Sequence, residues 1–168
     1  MDSLTLITGG VSSGKTAYAC RRAAEHGKGV LYVATCEPFD AEMQTKIARH
    51  RAERPPEWIT VERSQDVAGA LVPGYDAAVI DCLTLLLAQL LQHHADELAV
   101  AREVGGLATA RPGYPIYVVS NEVGLGGVSP NTQARRFAEL QGRANQQLAR
   151  YADAVVCVIS GLPLQLKG

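Results

Sequence analysis

Gly9-Gly10-Val11-Ser12-Ser13-Gly14-Lys15-Thr16, near the start of the chain, fits the pattern G-x-x-x-x-G-K-[ST] in full. Binding a nucleoside triphosphate explains each fixed position. Glycine lets backbone N–H groups turn inward around a β-phosphate, and a helix beginning at the end of the loop adds partial positive charge. Lys15 supplies a cation for the β- and γ-phosphates, and the Thr16 hydroxyl suits Mg²⁺. The ion also needs a carboxylate. Asp81 follows the apolar run Ala77 to Ile80, at the C-terminal end of a strand, where residues face the ligand crevice of a parallel sheet. Asp81 would equally cap a helix starting near Leu83. These residues imply nucleotide-dependent phosphoryl transfer or a nucleotide-driven switch, and do not choose between them.

A second group centres on His50. With Met43 and Ile47 it follows helical spacing, which by itself describes a half-buried histidine at the edge of a core face. Lys46, Arg49, Arg51 and Arg54 stand within about one helical turn of it. Such cations keep an imidazole neutral and nucleophilic and can hold phosphates, or they form a solvated face. Asn121 and Glu122 follow another apolar run, so they fall on the same sheet edge as the glycine loop and are candidates to hold a substrate or orient its hydroxyl. Arg135, Arg136 and Arg143 are either phosphate ligands or a helix's solvent face. His26, beside Gly27, is expected at a helix end against exposed carbonyls. His93 and His94 diverge by ~100° on a helix and are read as structural.

The elements that must position these groups follow a β-α alternation. Leu4–Thr8, Val30–Ala34, Ala77–Asp81, Ile116–Ser120 and Ala154–Ile159 are short, nearly continuous apolar runs, and Trp58–Val61 is a candidate sixth. Continuous apolar strands are buried on both faces, which points to a parallel sheet covered by helices. Helices are expected over Lys15–His26, from Asp40 to about Arg54 where Pro55-Pro56 ends it, and over Leu83–His93, Glu97–Ala110 and Thr132–Tyr151. The fold class is α/β: a single P-loop NTPase-like domain spanning 1–168, with a mostly parallel sheet and helices on both faces.

Composition narrows the partners. The 168 residues are 47% apolar and 20% charged, with a net charge of −1, which argues against nucleic acid or an anionic membrane as the main partner. No apolar run approaches the ~20 residues of a membrane span. Cys20, Cys36, Cys82 and Cys157 are scattered, suggesting neither a zinc site nor a disulfide framework. No export signal is evident, so the expected compartment is the cytoplasm, with free thiols.

Three further segments join the glycine loop in a more specific pattern. Asp40-Ala41-Glu42-Met43 leads to Ile47, His50, Arg54-Pro55 and Trp58. Asp81-Cys82-Leu83-Thr84 follows, then Ser120 to Pro130, Ala134-Arg135-Arg136-Phe137 and Gly142-Arg143-Ala144-Asn145-Gln146. Together they resemble the bifunctional adenosylcobinamide kinase/adenosylcobinamide-phosphate guanylyltransferase family of cobalamin biosynthesis, over nearly the whole chain to Leu164. The resemblance implies two reactions. The aminopropanol hydroxyl of adenosylcobinamide is phosphorylated with ATP or GTP. GMP then passes from GTP, through a guanylylated histidine, to that phosphate, giving adenosylcobinamide-GDP and pyrophosphate.

It places the nucleophile on His50, with Lys15 as the other catalytic group. Nucleotide contacts fall on Gly9, Gly10, Val11, Ser12, Ser13, Gly14, Lys15 and Thr16, on Ala34, Thr35 and Cys36, on Arg51, Ala52, Glu53 and Arg54, and on Glu62 and Thr84. Mg²⁺ is assigned to Thr16 and Asp81, and the chain is expected to be a homo-oligomer. Ser12 stands where many members carry arginine, Cys36 where serine is common, and Arg49 where some have a second histidine. The alternatives are a P-loop small-molecule kinase without the guanylyl step, and a nucleotide-driven switch. Only the bifunctional enzyme forms a covalent GMP–protein adduct.

Overall fold

The structure is a computed structural model that describes residues 2–35, 45, 51, 54–93 and 95–168. The glycine loop follows β1 (Leu4–Gly9) and opens α1 (Lys15–Ala24); β2 is Val30–Ala34 and β3 Ile59–Glu62. Then come β4 (Ala77–Asp81), α2 (Leu83–Gln92), α3 (Glu97–Thr109), β5 (Ile116–Val119), α4 (Thr132–Tyr151), β6 (Ala154–Ile159) and β7 (Leu162–Lys167). Single 3₁₀ turns lie at Ala68–Ala70 and Val123–Gly126. The strands form one sheet in the order β3-β2-β4-β5-β1-β6-β7. All neighbours are parallel except β6 and β7, which form an antiparallel hairpin.

Apolar side chains alternate between the two faces, as a strand's period of two requires. Leu4, Leu6, Leu31, Val33, Ile80 and Val118 face α2, α3 and α4, whose Leu83, Leu87, Val104, Leu107 and Leu148 complete that layer. Ile7, Val30, Tyr32, Val79, Tyr117 and Val156 face the other way, onto Ala19 and Ala23 of α1 and onto Trp58. Each leucine buried in this way contributes about 1.5–3 kcal/mol. Helices therefore cover both faces, as the unbroken apolar runs imply.

Register carries the functional residues to one edge. Ala34 pairs with Glu62 on one side and Asp81 on the other, and Asp81 pairs with Val119. The C-terminal ends of β2, β3, β4 and β5 thus form one row.

Differences from expectation are local. The short strand runs over Ile59–Glu62, with Trp58 buried just before it. α1 stops at Ala24, and a ring nitrogen of His26 meets the Tyr117 hydroxyl at 2.7 Å instead of helix carbonyls. The final strand β7 has no counterpart among the expected strands: Leu162-Pro163-Leu164-Gln165-Leu166-Lys167 contains a proline and is exposed throughout. Such a sequence suits only an edge. The body of the helix expected from Asp40 to Arg54 lies outside the described residues, as do Cys36, His50, Ala52, Glu53 and His94. No described helix is long and apolar enough to cross a membrane.

Candidate active site

The glycine loop is built from backbone conformations that ordinary residues avoid. Gly9 has φ 145° and Gly14, the N-cap of α1, has φ 96°. A Cβ on Gly9 would run into the Val158 carbonyl of β6 and stand 2.8 Å from Ser13 Oγ. Glycine is needed there for both conformation and space. The β6–β7 turn supports the loop from behind, since the Gly161 N–H donates to the Ser13 carbonyl at 2.9 Å. That contact gives the terminal Ser160-Gly161 segment a physical role.

Lys15 is the first residue of α1, and its ammonium is drawn back into the loop, donating to the Gly10 carbonyl and lying 3.5 Å from Ser13 Oγ. It is buried, at 7% exposure. Burial pushes its pKa below the ordinary lysine value, against an opposing pull from Cys82 and Asp81. A desolvated cation facing a phosphate cradle interacts with anionic oxygens more strongly than a hydrated one.

Thr16 Oγ1 lies 3.3 Å from each Asp81 carboxylate oxygen. The helix after Asp81 is capped at Cys82 without a side-chain bond, so Asp81 is turned toward the loop and does not serve as a cap. One hydroxyl and one carboxylate are the hard oxygen pair that Mg²⁺ takes from a P-loop protein, with phosphates and waters filling the other positions. The donor set fits. Among the described residues, no cluster of three or more His, Cys, Asp or Glu offers a different metal site.

Tyr32, which the sequence does not single out, and Arg54, expected as a nucleotide contact, join the pair of Thr16 and Asp81. Tyr32 is fully buried on β2, and its hydroxyl donates to Asp81 Oδ2. Burial first, then the Asp81 carboxylate, hold the phenol well above the usual tyrosine range, so it stays a donor. The Arg54 guanidinium lies 3.4 Å from the centre of the Tyr32 ring and also donates to Thr60 Oγ1 at 3.2 Å. Thr16, Asp81, Tyr32 and Arg54 therefore form one chain of contacts from the loop to the outer strands. The signal for Tyr32 was present: a lone phenol in an otherwise aliphatic strand needs a buried partner.

Thr35, Thr84, Asn121 and Glu122 are brought to the same edge. Buried Thr35 donates through Oγ1 to the Cys82 carbonyl at 2.7 Å. The Asn121 N–H donates to Thr84 Oγ1 at 2.8 Å, and the Glu122 N–H to the Gly9 carbonyl at 3.0 Å. Glu62 is exposed at the end of edge strand β3, in register with Ala34. Val11 is exposed at the tip of the loop, and Ser12 takes φ 56°.

Arg135, Arg136 and Arg143 of α4 have contacts of their own. Arg135 donates to the Ser129 and Pro130 carbonyls, each at 2.9 Å, while Arg136 and Arg143 each pair with Glu97 of α3 at 3.6 Å. Cys20, Cys82 and Cys157 are free thiols, and burial pushes Cys20 and Cys82 up to about 12.

The pattern has relatives. The family model described as cobinamide kinase / cobinamide phosphate guanyltransferase matches residues 5–166. The bifunctional adenosylcobalamin biosynthesis protein CobP of Pseudomonas aeruginosa is 39% identical, covering 97% of this chain and 96% of that protein. CobU of Escherichia coli K12 is 34% identical, covering 98% and 99%, and that of Salmonella typhimurium is 35% identical over the same shares. Among solved structures, the flagellar accessory protein FlaH from Methanocaldococcus jannaschii shares the fold, with a TM-score of 0.53 at 15% identity over 98% of this chain and 78% of FlaH. With a phosphate loop, a paired hydroxyl and carboxylate, and a family match over almost every residue, the chain belongs to the cobinamide kinase / cobinamide phosphate guanylyltransferase family.

Proposed function

We propose that one domain, residues 1–168, carries out both transfers of this bifunctional transferase family, on adenosylcobinamide and then on its phosphate. The meeting of Thr16 with both Asp81 oxygens at 3.3 Å beside the buried Lys15 is the observation that carries the phosphoryl-transfer half.

In that half the loop N–H groups and Lys15 hold the triphosphate of ATP or GTP and take up the charge that develops on the γ-phosphoryl group. Thr16 and Asp81 would hold Mg²⁺, which would supply charge neutralisation to the triphosphate. Tyr32 fixes the direction of the Asp81 carboxylate. Glu122, whose backbone is tied to Gly9, accepts the proton of the aminopropanol hydroxyl. The hydroxyl oxygen bonds to the γ-phosphorus, the bond to the bridging oxygen breaks, and the nucleoside diphosphate leaves.

In the second half a neutral His50 imidazole attacks the α-phosphorus of GTP. A phosphoramidate forms and pyrophosphate leaves. The phosphate of adenosylcobinamide phosphate then attacks the same phosphorus, the N–P bond breaks, and the imidazole is regenerated. Arg54, over Tyr32 and close in sequence to His50, supports a shared nucleotide site for both halves. Arg51, Ala52, Glu53, Ala34, Thr35, Cys36, Glu62 and Thr84 complete its nucleotide contacts. The same reading places the protein in the cytoplasm as a homo-oligomer. Leu162, Leu164 and Leu166, all exposed on the edge strand β7, support the assembly.

The test is covalent labelling. GTP labelled at the α-phosphate, without corrinoid, is expected to label the chain and release pyrophosphate, through a bond labile to acid and stable to alkali. His50→Ala is expected to lose the label. Label persisting on that variant places the nucleophile elsewhere, and wild-type protein that takes up none leaves a kinase without the guanylyl step.

A further inference from the structure

α4 carries two polar groups into the core, Gln141 and Asn145, and with Ser120 after β5 they form a bonded cluster that reaches Glu122. We propose that Asn145 is a positioning residue for phosphoryl transfer: clamped by Ser120 and Gln141, its amide holds the Glu122 carboxylate beside the phosphate loop, ready for the substrate hydroxyl. This rests on the kinase reading above and extends it to a helix that has no residue in the nucleotide site.

Asn145 is 6% exposed, on the face of α4 that also buries Ala144 and Leu148. A buried amide is costly there unless its polar atoms are bonded, and here all are. Its Nδ2 donates to the Asn121 carbonyl at 3.1 Å and to Glu122 Oε1 at 2.9 Å. Its Oδ1 accepts from Ser120 Oγ at 2.6 Å and from Gln141 Nε2 at 3.0 Å. The partners fix which way round the amide sits, because a carbonyl and a carboxylate only accept and Gln141 Nε2 only donates. Glu122 Oε1 is thereby occupied, which leaves Oε2 to accept from a substrate.

Gln141 shows what the arrangement serves. It is fully buried, its Nε2 bonds both Asn145 and Ser120, and its Oε1 has no partner among the described residues. A leucine at this core position would carry no such cost. The unpaired oxygen is tolerated where the Nε2 keeps Asn145 aimed at Glu122. The backbone is held as well, by Gly9 and by Thr84, so the Asn121-Glu122 turn is fastened from β1, α2 and α4 at once.

The experiment is a mutant cycle on purified full-length protein, reading kinase kcat and KM with adenosylcobinamide and ATP. Glu122→Gln is expected to lower kcat about a hundredfold, the scale of a lost general base. Asn145→Ala is expected to lower kcat about ten- to thirtyfold, with the KM for ATP unchanged within about twofold, as displacement of a reacting group does. The double variant is expected to be no worse than Glu122→Gln alone, because Asn145 then has no carboxylate to position.

Losses that multiply in the double variant overturn the proposal and make Asn145 a structural residue. Full activity in Asn145→Ala beside an impaired Glu122→Gln also overturns it, while the kinase reading stands. Full activity in Glu122→Gln overturns the role given to Glu122, and the proposal with it. If Asn145→Ala melts before assay, Ser120→Ala removes one clamp and is expected to give a smaller kcat loss that likewise vanishes in a Glu122→Gln background.

Discussion

On one side of the phosphate loop, Lys15, Thr16, Asp81, Tyr32 and Arg54 are joined by charge: a buried ammonium, a carboxylate, a phenol bonded to it and a guanidinium over that phenol. On the other side, Ser120, Gln141 and Asn145 hold Glu122 through neutral hydroxyl and amide groups. On the proposed mechanism the difference follows from what each side meets. A triphosphate and a dication carry fixed charge and are held by opposite charge, which tolerates small errors of position. A neutral hydroxyl has little charge to attract, so the group that takes its proton must be aimed, and hydrogen bonds aim better than Coulomb forces do.

The strongest way to break this division is Lys15→Ala. Loss of the loop's own ammonium is expected to reduce kinase turnover by about a thousandfold, measured at saturating acceptor. It should also remove labelling by α-labelled GTP, because both halves use the same triphosphate cradle. Kinase activity near the wild-type rate would end the assignment of the loop.

Asp81→Asn sharpens the charged side. An amide is a poorer ligand for a hard dication, so half-maximal kinase rate is expected at about ten- to hundredfold higher magnesium. An unchanged magnesium titration would remove Asp81 from the metal.

Tyr32→Phe is expected to have the smallest effect, about three- to tenfold in the same titration, because it removes one bond to the ligand and leaves the ligand itself. Its pH dependence has a definite sign. Burial and Asp81 raise the Tyr32 pKa, so the folded protein keeps the protonated donor where an ordinary tyrosine ionises, near 10.0. The ratio of wild-type to variant activity is therefore expected to stay flat up to pH ~10. A ratio that collapses toward one below that pH would show that the phenol ionises and the bond is lost.

The parts of the site written in short stretches of sequence were readable as such. Gly9 to Thr16 declares a loop because glycine at positive φ, lysine and a hydroxyl are needed at fixed spacing. Asp81 at the end of Ala77 to Ile80 is legible as a crevice residue but divided between two roles; its contact with Thr16, 65 positions away, takes it off the helix cap, and the magnesium titration tests the other role. β7 was not legible, since an exposed edge strand with a proline lacks the apolar run that marks a buried one. Arg135, Arg136 and Arg143 are cations on a helix with two readings, and the structure gives them the partners Ser129, Pro130 and Glu97, which no pattern along the chain announces.

By itself the sequence determined the β-α alternation, the doubly covered sheet, the phosphate loop and the family, because each rests on residue types at local spacing or on apolar runs that have one way to be buried. Only the tertiary structure decided that Tyr32 bonds Asp81 and that Asn145 bonds Glu122. Those pairs join strands and helices distant along the chain, and a hydrogen bond depends on direction and on tenths of an ångström. The pairing of β2 with β4 sets both for Tyr32 and Asp81, the packing of α4 onto the sheet sets them for Asn145 and Glu122, and no pattern of residue types along the chain encodes either.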